Sequence, residues 1–111
     1  MKVVQDGVSM EVVVSQSDHA YAEVDLSEVA SNERSCFIGV ADGQKLQFHL
    51  HRDGDWQSGI LVDIIVDGAL RRSWKSLNQE ETHVKFLDQV TAPLLAGKMK
   101  MLILVAGLVP R

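Results

Sequence analysis

Asp-Gly occurs four times in this chain, at Asp6-Gly7, Asp42-Gly43, Asp53-Gly54 and Asp67-Gly68. The dipeptide suits a two-residue hairpin turn, because both central residues of a type I′ turn need positive φ and these two tolerate it best. Asp42-Gly43 and Asp67-Gly68 lie directly between apolar runs. They predict two hairpins, one joining residues 36–41 to 44–50 and one joining residues 60–66 to 69–76. An antiparallel, strand-rich domain follows.

The rest of the chain fits that frame. Residues 8–14 are a β-branched run and predict a first strand, and the alternation over 20–24 predicts a second. Asp25 is placed to cap a helical turn over residues 26–30, followed by a polar loop over 31–34. Residues 82–86 predict a short strand. Residues 88–96 predict one or two helical turns, with Pro93 in the first turn and Gly97 at the C-terminal cap. The nearly continuous apolar run 99–105 predicts a buried central strand. The expected fold is mainly β: an antiparallel sandwich or open barrel of seven or eight strands, with one short helix before the last strand.

A two-residue turn also sets register. In the second hairpin it places Asp63 opposite Arg72, Leu61 opposite Trp74 and Ile65 opposite Leu70. Asp63 interrupts an apolar strand, so its pairing with Arg72 is either a structural cross-strand ion pair or a ligand-binding carboxylate and its orienter. With Trp56 and Trp74, that pair would line a small-ligand pocket in a barrel. Arg71, Ser73 and Lys75 alternate onto the remaining face and read as solvated. In the first hairpin the register places Phe37 opposite Phe48 on the core side and Cys36 opposite His49 on the other, with His51 next along. Thiol and imidazole are the right types for zinc or for a histidine-assisted thiolate. A full structural site would need His19 or His83 as well, and the plainer reading is a small buried thiol beside solvated histidines.

At 111 residues and 12.3 kDa the chain holds one domain. Its formal net charge of −4 opposes nonspecific nucleic-acid binding, and no apolar run is long enough to span a bilayer as a helix. A single cysteine excludes an intrachain disulfide framework. No signal peptide is visible, which points to the cytoplasm, or to the periplasm if an export signal preceded Met1. Leu108-Val109-Pro110-Arg111 matches the remnant that thrombin leaves in an engineered linker, so residues 1–105 are read as the domain and 106–111 as a tail. Phosphate loops, nucleophile elbows, HExxH and CxxC motifs are missing, so no cofactor is implied and a noncatalytic role is favoured over an enzyme.

Three segments, Gly43-Gln44-Lys45-Leu46, the Val66-Asp67-Gly68 turn ahead of Arg72 and Trp74, and Leu94-Leu95-Ala96-Gly97-Lys98 before an apolar strand, carry a resemblance. Over about two-thirds of its length the chain resembles small bacterial exported proteins of the invasion-associated locus B type. The resemblance implies a noncatalytic, envelope-associated β-domain and supplies no catalytic residues. The expected function is a small binding module for a protein partner or small ligand that self-associates as a homodimer. The alternatives are a metal- or thiol-dependent site at Cys36, His49 and His51, or the barrel pocket.

Overall fold

The computed structural model describes residues 1–3, 7–14, 21–53, 59–77, 82–91, 93 and 97–107. Nine strands run through them: β1 (Lys2–Val3), β2 (Val8–Val14), β3 (Glu23–Ala30), β4 (Glu33–Gly39), β5 (Lys45–Arg52), β6 (Ile60–Val66), β7 (Ala69–Ser76), β8 (His83–Gln89) and β9 (Lys98–Gly107). They form a four-stranded sheet in the order β1-β2-β5-β8 and a five-stranded sheet in the order β3-β4-β9-β6-β7. Every ladder is antiparallel.

Strand alternation explains the core. Val8, Met10 and Val12 on β2 and Leu46, Phe48 and Leu50 on β5 are all buried on one side of the four-stranded sheet. Cys36 and Ile38 on β4, Val62 and Ile64 on β6, and Met101 and Ile103 on β9 are buried on one side of the other. Both sets belong to a single hydrophobic cluster, so the two sheets share one core. The apolar run in β9 lies between β4 and β6, as a central strand.

The Asp67-Gly68 turn is the expected one. Asp67 has φ 49° and Gly68 φ 83°, both positive, and β6 and β7 begin and end where the sequence predicts. Register holds for Val66–Ala69 and Ile65–Leu70, then shifts by one at a β-bulge, so that Ile64 pairs with Arg72, Asp63 with Ser73 and Val62 with Trp74. Arg71 is the extra residue. Without it Trp74 would lie beside Leu61 on the outer face; with it the indole enters the core at 7% exposure. Burial of so large an apolar surface outweighs the ladder bond that a bulge interrupts.

The Asp42-Gly43 turn makes no hairpin. Gly43 has φ 80°, but Asp42 has no positive φ, and β4 and β5 belong to different sheets. Gly43 N–H donates to Val90 O (2.8 Å) and Val90 N–H to Gln44 O (2.9 Å), so the segment is tied to the chain after β8. Phe37 pairs with Val24 and Lys100, and Phe48 with Val12 and Phe86. The faces of β4 are therefore inverted from expectation: Cys36 and Ile38 point inward and Phe37 outward. Two strands that each have one apolar face can satisfy it across a core as well as side by side, and here they do the former.

Smaller differences follow. Residues 26–30 are strand, not a helical turn. Asp88 and Gln89, expected to lead into a helix starting near Thr91, end β8, while most of 91–96 lies outside the described residues. No helix occurs among the described residues. β9 runs past the expected strand end at Val105, with Ala106 opposite Leu61 and Gly107 opposite Ile60. Gly7 (φ 64°) is needed on two counts, since a Cβ there would sit 2.7 Å from the Asp53 carbonyl oxygen.

Candidate functional site

The residues expected to form a ligand pocket are dispersed. Trp74 is core, and Trp56 lies outside the described residues. Asp63 accepts a hydrogen bond from Ser73 Oγ at 2.6 Å, its cross-strand neighbour after the bulge. Arg72 turns away from Asp63: its Nη2 donates to Leu87 O at 2.7 Å and its Nη1 to Arg71 O at 2.8 Å.

The bulge residue carries a charge-assisted contact between the sheets. Arg71 Nε donates to Asp88 Oδ2 at 3.0 Å and its Nη2 to Asp88 Oδ1, a bidentate pair joining β7 of one sheet to β8 of the other. The Asp88 side chain is 8% exposed and that of Arg71 30%. Burial by itself would push the Asp88 carboxyl up; the Arg71 hydrogen bonds, the Gln89 N–H and the neighbouring guanidinium charges outweigh it and hold Asp88 below the usual range. The Asp88 hydrogen bond in turn raises Arg71. The pair borders a cavity of about 170 Å³ floored by Leu46, Val66 and Met99. Its charges neutralise each other, so it stabilises the junction of the sheets and leaves no net charge to attract an ionic ligand. Sequence reading missed it, because Arg71 reads as solvated until the bulge is known.

Cys36 does not meet His49. It pairs with Met101 in the core of the five-stranded sheet, whereas His49 lies on β5 between Glu11 and Lys85. Glu23 Oε2 is 3.8 Å from the thiol, and the same carboxylate accepts from the Met1 ammonium at 2.8 and 2.9 Å. Burial, reinforced by the Glu23 charge and opposed by the ammonium, pushes the Cys36 thiol up to about 12. A thiol so placed is a poor nucleophile at neutral pH.

The outer faces differ sharply. On the four-stranded sheet the registers set Ser9, His51 and His83 in one row and Glu11, His49 and Lys85 in the next. These side chains surround a shallow depression of about 360 Å³. Among the described residues no group of three or more His, Cys, Asp or Glu is gathered as a metal set. On the five-stranded sheet, Leu102, Ile65 and Leu70 form a row across β9, β6 and β7, flanked by Leu104, Leu61 and Phe37. None of the six belongs to the core or packs against it, and Leu70 is 61% exposed. Glu33 and Asp63 lie within this face, between Lys100 towards one end and Lys75 towards the other. Among the described residues no helix is long and apolar enough to cross a membrane. Comparison with protein-family models, with curated proteins and with solved structures gave no match.

Proposed function

We propose that the chain is a small noncatalytic β-domain, a two-layer sandwich that self-associates through the outer face of its five-stranded sheet. The carrying observation is the row Leu102–Ile65–Leu70 with Leu104, Leu61 and Phe37 around it, apolar side chains that the core does not use. Three of the four sheet edges are poor alternatives; the fourth, β7, carries Leu70 of this same face. β1 has two residues, β3 carries two register shifts, and the β8 carbonyls of Leu87 and Gln89 already accept from Arg72 and Arg71.

A second copy is the occupant that the face favours. Glu33 and Asp63 lie two residues to one side of the Leu102–Ile65–Leu70 row and Lys100 two residues to the other, so a copy rotated about that row meets these charges with counter-charge. Five strands spaced ~4.8 Å apart, with ladders about 23 Å long, give a flat footprint of roughly 550 Å², about two-thirds of the ~800 Å² per partner of a standard interface before side-chain relief is added. This reading agrees with the noncatalytic envelope domain that the locus B resemblance implies.

Sedimentation equilibrium over a wide concentration range tests it. The parent is expected to dimerise and Leu102→Glu to be monomeric, with circular dichroism confirming the fold; Leu70→Glu, on the edge strand, is the second variant if Leu102→Glu unfolds. A parent that stays monomeric at high micromolar concentration, or a dimer indifferent to both changes, removes the proposal.

A further inference from the structure

The histidines of the four-stranded sheet are held in a way that their strand positions alone do not require. Arg52 N–H donates to Thr82 O at 2.8 Å, which makes Arg52 and Thr82 a hydrogen-bonded position of the β5–β8 ladder. The next pair, His51 and His83, is then a non-hydrogen-bonded position, where Cα atoms are ~4.5 Å apart and side chains come closest. Two imidazoles there can bring nitrogens to roughly 3.3 Å, the separation that two ~2.0–2.1 Å bonds to a tetrahedral ion require.

Their ring nitrogens are also engaged from behind. His51 Nδ1 lies 2.9 Å from Asp53 Oδ1, so Nδ1 carries the proton and the Nε2 lone pair is left for a ligand. That is the carboxylate–histidine arrangement that orients metal-binding imidazoles. His83 Nδ1 lies 3.3 Å from Thr82 Oγ1, and in the tautomer that donates to that hydroxyl the Nε2 lone pair is bare as well. His49 differs in its surroundings. Its Nε2 is committed to Gln47 Oε1 at 2.8 Å, and its close cross-strand neighbour is the Lys85 ammonium, which repels a cation.

We propose that Nε2 of His51 and Nε2 of His83 bind one borderline divalent cation of the Zn²⁺ or Ni²⁺ class on this face, with water completing its coordination. Imidazole suits these ions, and two protein ligands make an open, exchangeable site that folding does not depend on. Ser9, beside His51, adds a neutral hydroxyl; Glu11 and Lys85 place one charge of each sign around the depression, and Asp53 adds a negative charge behind His51.

Calorimetric titration of the whole chain with Zn²⁺ at pH 7.5 is the test. One equivalent is expected to bind. His51→Ala and His83→Ala should each weaken binding at least ~10-fold and Asp53→Asn by roughly 10-fold, the usual effect of an orienting carboxylate, while His49→Ala stays within about 2-fold. His83→Gln serves if the alanine variant unfolds. No binding at millimolar Zn²⁺, affinity that survives loss of both His51 and His83, an equal loss in His49→Ala, or one ion per two chains would each overturn the site.

Discussion

Removing Asp88 tests the clamp between the sheets. The carboxylate is 8% exposed and accepts from Arg71 Nε, Arg71 Nη2 and, at 2.8 Å, the Gln89 N–H. Hydrogen bonds to charged groups contribute about 1.5–3 kcal/mol, and exposure of Arg71 at 30% brings the expected coupling to about 1–2 kcal/mol. A double-mutant cycle of Asp88→Ala and Arg71→Ala, read from urea unfolding by circular dichroism, measures that coupling directly. Asp88→Ala alone should cost about 2–3 kcal/mol, since it also strands the Gln89 N–H.

The same group predicts a pH dependence. Its folded pKa is depressed, so its contribution is complete above the unfolded value near ~3.9 and disappears as pH falls through the folded value. The stability gap between parent and Asp88→Asn should therefore be constant from pH 8 to 5 and close below about pH 4. A coupling energy within ~0.3 kcal/mol of zero, or a gap that persists unchanged to pH 3, would refute the clamp.

Three further outcomes follow from burial and backbone geometry. Trp74→Ala should cost about 3–5 kcal/mol in urea unfolding while Leu61→Ala costs under ~1 kcal/mol, and the reverse order would mean that the bulge is absent. Gly7→Ala should lower stability by at least ~1–2 kcal/mol, because the left-handed backbone is combined with a Cβ 2.7 Å from Asp53 O; a neutral result contradicts that close approach. With its thiol pushed up to about 12 and 1% exposed, Cys36 should react with a disulfide reagent at pH 8 only as fast as the fold opens, so rapid labelling of the native chain counts against its placement.

What the sequence discloses here is local, and what it hides is the relation between distant strands. Asp67-Gly68 discloses its hairpin, because a turn with two positive φ angles admits few alternatives. Asp42-Gly43 offers the same dipeptide between apolar runs, yet nothing local says whether the second run returns beside the first or crosses to another sheet. The misplacement of Cys36 opposite His49 follows wholly from that one ambiguity. The bulge is hidden for a different reason: Leu70-Arg71-Arg72 bears no mark distinguishing an inserted residue from a paired one, and only the burial of Trp74 decides it. Alternation along β5 correctly separates Leu46, Phe48 and Leu50 from Gln47, His49 and His51. The partner that gives His51 its significance, His83, arrives on β8, a neighbour that only the topology reveals.

The two outer faces then become the informative part of the chain. Inner positions are constrained by a shared core, so their aliphatic content says only that the protein folds. Outer positions carry no such constraint, yet they are not interchangeable. One face sets Ser9, His51 and His83 in a row, and the other sets Leu102, Ile65 and Leu70 in a row. A solvated sheet of this size is served equally well by threonines and lysines on both sides. Apolar residues left on one face lower solubility unless something covers them, and on the opposite face His51 lies against Asp53 and His83 against Thr82. Under the two proposals this division would place association on the five-stranded sheet and cation binding on the four-stranded one, with the Arg71–Asp88 pair between them. It also makes the two activities separable: Leu102→Glu should abolish association and leave Zn²⁺ affinity unchanged within about 2-fold, because sites on opposite faces with no shared partners act independently.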